Sequence, residues 1–367
     1  MVARFASVGG MLVNVQALRA VAAFLVVFVH LQALALLLGW GPNAFVFGNS
    51  GVDLFFVISG AIMVVTVRRR PQGPQTFLAN RIARIAPLYW LITAVVFCAA
   101  QVAPSLFDAT HPDGVALAKS LFFIPFQRAD GRMAPVVFVG WTLNYEMAFY
   151  LLFAAGLAFR RWQAGVAVVL GLLLSAVIAG LLAHPAGGLA RFYTAPLVLE
   201  FGLGMIIGGA IGRLNAVRAP TALVLVVDAV MAGAILTGPV LWPQADRFVA
   251  FGLPSAILVL SAIHLEETGR VVRSPWARRL GDASYSTYLS HFFVTQAVIK
   301  TAVVLGLAAP LAIGLLIPVI FVLVAAAGLA TYAMAERPLI GWSKRLLRRA
   351  GGAAPVVTAS VAVKVEP

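Results

Sequence analysis

Charge is scarce in this chain, and acidic charge is scarcest. Only 11% of its 367 residues are charged, and 13 Asp and Glu stand against 27 Lys and Arg. A soluble domain carries about a quarter charged residues, so a water-soluble globule is excluded. Cysteine is nearly missing. Cys98 stands alone inside an apolar stretch, which excludes a disulfide framework and a cysteine-based zinc cluster, and no metal is expected. Also missing are a Walker loop, a GxSxG elbow and an HExxH helix. The chemistries that depend on those arrangements therefore have no residues to work with.

What is present is apolar. Hydrophobic residues make up 62% of the chain, and its mean hydropathy is +0.97. The apolar runs approach or exceed the ~20 residues that span a bilayer as a helix. Strands of a membrane barrel would be shorter and would alternate. Ten spans are predicted, at 18–39, 50–67, 84–103, 141–159, 162–183, 194–212, 221–240, 247–265, 284–306 and 310–334. The fold expected is all-α, a polytopic membrane bundle of about ten transmembrane helices. The first run is too long for the apolar core of a signal peptide and reads as a retained helix.

The net charge of +14 fits the same picture. Basic residues concentrate in the cytoplasmic loops of inner-membrane proteins, so no nucleic-acid partner is expected. With the N-terminus inside, the ten-span map puts most of the 27 Lys and Arg on one side, and both termini are then cytoplasmic. The connection 104–140 lies outside, where its Pro, Asp and Gly breakers suit a cover over the outer mouth. The tail 350–367 is rich in small residues and reads as disordered.

Ionisable groups inside a bilayer are costly and are functional candidates by default. Arg19 and His30 lie eleven residues apart in QALRAVAAFLVVFVH. On one helix that is three turns, a shared face and about 16 Å along the axis. Asp53 in GVDLFFVISG and Glu146 in WTLNYEMAFY enter from the outer side and reach a depth similar to that of His30. This set suits proton transfer, with imidazole as general base and a carboxylate to fix its tautomer. Counting residues gives depth but not lateral proximity.

Arg81 and Arg84 share a helix face in FLANRIARIAPLYW, and their forked guanidinium groups suit phosphate. With Arg19 they would ring the cytoplasmic surface, although topology and lipid headgroups explain most such arginines. In SYSTYLSH, Ser284, Tyr288 and His291 form an i, i+4, i+7 stripe facing the bundle at the start of the ninth span. That stripe either lines an entry path or bonds its neighbours. Asp228 and Glu200 lie within spans without a surrounding motif, Glu200 being the better candidate. A secondary transporter with His30, Asp53 and Glu146 as a proton relay is the rival reading. The lack of an evident internal repeat counts against it.

At LRAVAAFLVVFVH, GVDLFFVISG, FLANRIARIAPLYW, WTLNYEMAFY, SYSTYLSH and the closing AERPLI, the chain resembles the acyltransferase-3 family of bacterial integral-membrane acyltransferases. The likeness runs over residues 14–342 and is strongest to members acting on exopolysaccharides such as succinoglycan. The resemblance implies an integral-membrane acyltransferase domain over 1–349, multi-pass in the bacterial inner membrane and surrounded by membrane lipids. It implies an acyl group, usually acetyl, taken from cytosolic acetyl-CoA or another acyl-CoA. The group passes to a carbohydrate hydroxyl, on a lipid-linked unit or a polymer. His30 matches the family's essential histidine. Asp53 or Glu146 would orient it. Arg19, Arg81 and Arg84 would hold CoA, with Ser284, Tyr288 and His291 along its path.

Overall fold

The computed structural model describes residues 12–41, 43–103, 113–214, 219–307 and 309–349. The tail 350–367 and part of the 104–140 connection lie outside the described residues. Everything regular within them is helical, apart from a single antiparallel bridge between Gln127 and Met133.

Fifteen helices run in chain order. They are α1 (Val13–Val29), α2 (Gln32–Leu37), α3 (Ser50–Arg69), α4 (Pro74–Val102), α5 (Gly114–Leu121) and α6 (Trp141–Gly156). Next come α7 (Trp162–Ala183), α8 (Gly188–Tyr193), α9 (Leu199–Ala210), α10 (Thr221–Leu241) and α11 (Leu253–Glu267). The last four are α12 (Pro275–Asp282), α13 (Ser284–Val304), α14 (Pro310–Thr331) and α15 (Arg337–Arg349). Two π-helical turns, Phe248–Gly252 and Tyr332–Glu336, lead into α11 and α15. Such turns widen a helix locally and often stand at functional sites.

Each of the ten apolar segments coincides with helix. Six helical stretches among the described residues are long and apolar enough to cross a membrane. Their burial sorts them. The most apolar window of α3 is 83% buried, against 17% for α7 and for α10. α3 is thus the central post, packed against α1, α9 and α11, while α7 and α10 turn apolar side chains outward.

Three boundaries differ from the sequence reading. The first run starts at Val13 and is not one helix: α1 stops at Val29, His30 caps it, and α2 resumes at Gln32. The His30 N–H bonds the Val27 carbonyl at 3.0 Å and the Leu31 N–H bonds that of Phe28 at 3.0 Å. The chain tightens into a turn there. The third run begins ten residues early, at Pro74, where proline's fixed φ suits a first helical turn. Arg81 and Arg84 therefore stand well inside α4 and not at its entry.

Small residues set the closest helix contact. A Cβ on Gly204 of α9 would collide with the Val57 carbonyl of α3, so only glycine allows this approach. Gly204→Val is expected to cost about 1–3 kcal/mol through overpacking. The check is a lowered thermal midpoint of the detergent-purified protein and a smaller folded yield in membranes.

Candidate active site

His30 opens into a cavity of about 270 Å³, lined also by Asn49, Arg132, Trp141, Tyr288 and His291. The break after α1 places His30 there, and α13 brings Tyr288 and His291 one turn apart. The two imidazole rings lie 5.1 Å apart, centroid to centroid. Phe292 and Phe138 meet the His30 ring edge-on at 5.0 and 6.3 Å. His291 is fully buried. Its Nδ1 donates to the Tyr288 carbonyl at 2.5 Å, which fixes the ring and leaves Nε2 as the acceptor. That Nε2 is buried without a hydrogen-bond partner. The Tyr288 hydroxyl donates to the Val139 carbonyl at 2.8 Å and sits 2.7 Å from the Thr142 hydroxyl.

The segment 113–140 forms one wall. Arg132 lies over the Phe138 ring at 4.6 Å and bonds Asp130 at 2.6 Å. Those hydrogen bonds hold the Asp130 carboxyl below the usual carboxylate range.

Neither predicted carboxylate lines this cavity. Asp53 is fully buried on α3, and both its oxygens accept from Arg247, at 3.1 and 2.8 Å. Arg247 also donates to the Asn49 carbonyl at 3.2 Å and lies 5.7 Å from the centre of the Trp141 ring. Asp53 thus holds a guanidinium behind two wall residues and does not touch His30. The buried Glu200 carboxyl faces the same pair, and neither of its oxygens has a hydrogen-bond donor. Arg247 escaped the sequence reading because it sits at a loop edge without a motif. Its signal is spatial only, since 194 residues separate it from Asp53.

Glu146 belongs to a second cluster. It accepts from Ser59 of α3 at 3.2 Å and from Tyr150, one turn along α6. Its charge acts on Arg81, on Arg19 and on Tyr288. Its hydrogen bonds therefore tie α3 to α6 outside the histidine cavity. Arg81 lies 5.5 Å from the centre of the Phe77 ring, and its buried Nε has no partner. Arg19 donates to Gln16 at 3.1 Å, and Gln16 donates to Asp282 at 2.6 Å. The charges acting on Arg19 are those of Arg84, Glu336, Glu146 and Asp282. The charge of Arg84 thus acts on both Arg19 and Arg81.

Glu336, at the end of the second π turn, escaped notice although the AERPLI segment contains it. It is fully buried and accepts from Ser286 at 2.6 Å. Its other oxygen is unpartnered, as is the Ser284 hydroxyl. Ser284 does not line the histidine cavity, whereas Tyr288 and His291 do. Buried polar groups are rarely left unsatisfied. The His291 Nε2, the Ser284 hydroxyl, the Glu336 oxygen and the Arg81 Nε are such unpartnered groups within an apolar bundle.

An apolar helical bundle enclosing paired imidazoles, with half-buried arginines among its helices, suits a membrane-embedded enzyme. Comparison makes the class specific: residues 12–334 match the acyltransferase domain of the acyltransferase-3 family, and the chain belongs to that family and is an acyltransferase. It is similar to the exopolysaccharide production protein ExoZ of Rhizobium meliloti (strain 1021), at 39% identity over 306 residues, 81% of this chain and 90% of that protein. No solved structure matches it.

Proposed function

We propose that the protein moves an acetyl group from acetyl-CoA to a hydroxyl of an exopolysaccharide sugar, lipid-linked or polymeric. It would do so in the bacterial inner membrane, with ten spans and both termini cytoplasmic. The donor fits the basic cluster. Arg81 carries an unpartnered buried Nε, and guanidinium forks match phosphate. Arg19, Arg81 and Arg84 then hold the donor's phosphates. His30 lies about 16 Å further along α1 by helical rise, within reach of an extended pantetheine arm.

At the cavity, His30 takes the proton of the acceptor hydroxyl. The freed oxygen closes on the thioester carbon, the C–S bond breaks, and His30 returns the proton to the departing thiolate. His291, fixed through its Nδ1, offers a second acceptor nitrogen beside His30. Phe138 and Trp141 offer ring faces to a sugar. Asp53 and Glu146 act at a distance: Asp53 braces the wall through Arg247, and Glu146 positions the arginines. A proton relay through His30, Asp53 and Glu146 is disfavoured, because each carboxylate is bonded away from the histidines.

The observation that carries this reading is the pair of imidazoles, 5.1 Å apart, on a cavity of about 270 Å³. Acetyl-CoA at a hundred times its Kd should stabilise the detergent-purified protein by about 2.7 kcal/mol, read as a raised thermal midpoint. An unmoved midpoint, together with unaltered acetylation of surface polysaccharide in a deletion strain, would defeat the proposal.

A further inference from the structure

The C-terminal helix α15 packs along α4 and carries cations that the site above does not use. Leu339 packs on the core cluster that holds Phe77, and Ser343 is buried. Lys344, next to Ser343, is half-buried on this helix. Lys344 and Arg348 lie one turn apart and share a face. The charges acting on the Lys344 ammonium are Arg84, Arg348 and Arg81, all positive. Like charges gathered at one place repel, and the carboxylates nearby are committed deeper in the bundle: Glu146 to Ser59 and Tyr150, and Glu336 to Ser286. A basic group of this kind calls for a polyanion between α4 and α15.

Arg81 and Lys344 are both half-buried, the Arg81 Nε being fully covered, and Arg348 is exposed. A ligand with its reactive end toward His30 would present its distal end to Lys344 and Arg348. We infer that Lys344 and Arg348 bind the 3′-phosphorylated nucleotide end of the donor, with Arg81 and Arg84 on its pyrophosphate, so that α15 closes the donor site on α4. The inference rests on the acetyl-CoA reading of the same site.

The shared chemistry is a phosphate polyanion, and an anionic lipid headgroup is the other source of it. The test uses the full-length protein in neutral detergent. Charge-assisted contacts to phosphate are each worth about tenfold in affinity. Lys344→Ala and Arg348→Ala should each raise KM for acetyl-CoA about tenfold. Both variants should also lose the preference for CoA over dephospho-CoA in thermal-shift titrations. Lys344→Arg should restore it, and Arg349→Ala, an exposed cation of α15 that shares a face with neither residue, should behave as wild type. If wild type is stabilised by CoA but the alanine variants keep its KM and its preference, the inference falls and the acetyl-CoA reading survives. If the variants lose only a stabilisation by phosphatidylglycerol, the site belongs to lipid and the inference is overturned. If wild type responds to neither CoA nor dephospho-CoA, the acetyl-CoA reading itself fails.

Discussion

His30→Ala should abolish acetyl transfer in membranes while leaving the protein folded. Loss of a positioned general base costs about 10²–10⁴ in rate. The ring borders a cavity of about 270 Å³, so its removal enlarges existing space and leaves no uncompensated charge behind. The thermal midpoint should therefore change little, and activity at matched expression reads the chemistry alone. His291→Ala should also impair transfer, through KM and kcat together, because its ring lies 5.1 Å from His30 and shapes the same cavity. Replacing Phe292 by Leu keeps the apolar wall and should cost far less than either histidine. Activity retained by His30→Ala at normal expression would remove His30 from the reaction. Activity lost together with folding would make the ring a packing element.

Several of these features could be read from the chain, and the reasons are physical. Long apolar runs report helices because an unpaired backbone cannot cross lipid, so the ten segments coincide with helix. Arg81 and Arg84 share a face of α4 because helical rise and rotation bring residues three apart together. What stayed hidden depends on how helices turn against one another. Counting placed Asp53 and Glu146 at the depth of His30. Rotation of α3, set partly by Gly204 of α9 against Val57, instead gives Asp53 to Arg247 and Ser59 to Glu146. Spacing alone leaves His291 between lining an entry path and bonding a neighbour. The break at His30, with no proline or glycine at positions 30 and 31 to announce it, brings the two rings together. Glu336 was invisible because its role depends on a π turn, which apolar periodicity does not encode.

Asp53→Ala should destabilise the protein more than any change at the histidines. Asp53 is fully buried and engages Arg247 through both oxygens. Removing one partner of a buried pair leaves the other charge uncompensated, at about 3–5 kcal/mol. The Arg247 side chain retains 31% exposure, so solvent screens part of that penalty and about 2–4 kcal/mol is expected. Arg247 in turn holds the Asn49 carbonyl and lies against Trp141, both of which line the histidine cavity. Its release should loosen that wall, so activity falls along with stability. A catalytic carboxylate and a bracing one then separate cleanly. If Asp53 oriented His30, Asp53→Asn would lose activity at an unchanged thermal midpoint. As a brace for Arg247, Asp53→Asn should lower the midpoint, and activity should fall in proportion. The double variant Asp53→Asn with Arg247→Gln discards both charges and replaces the ion pair by an amide pair. It should recover part of the lost stability, because no unpaired charge remains in the bundle. A double variant no more stable than Asp53→Asn would show that the pair is not the source of the effect.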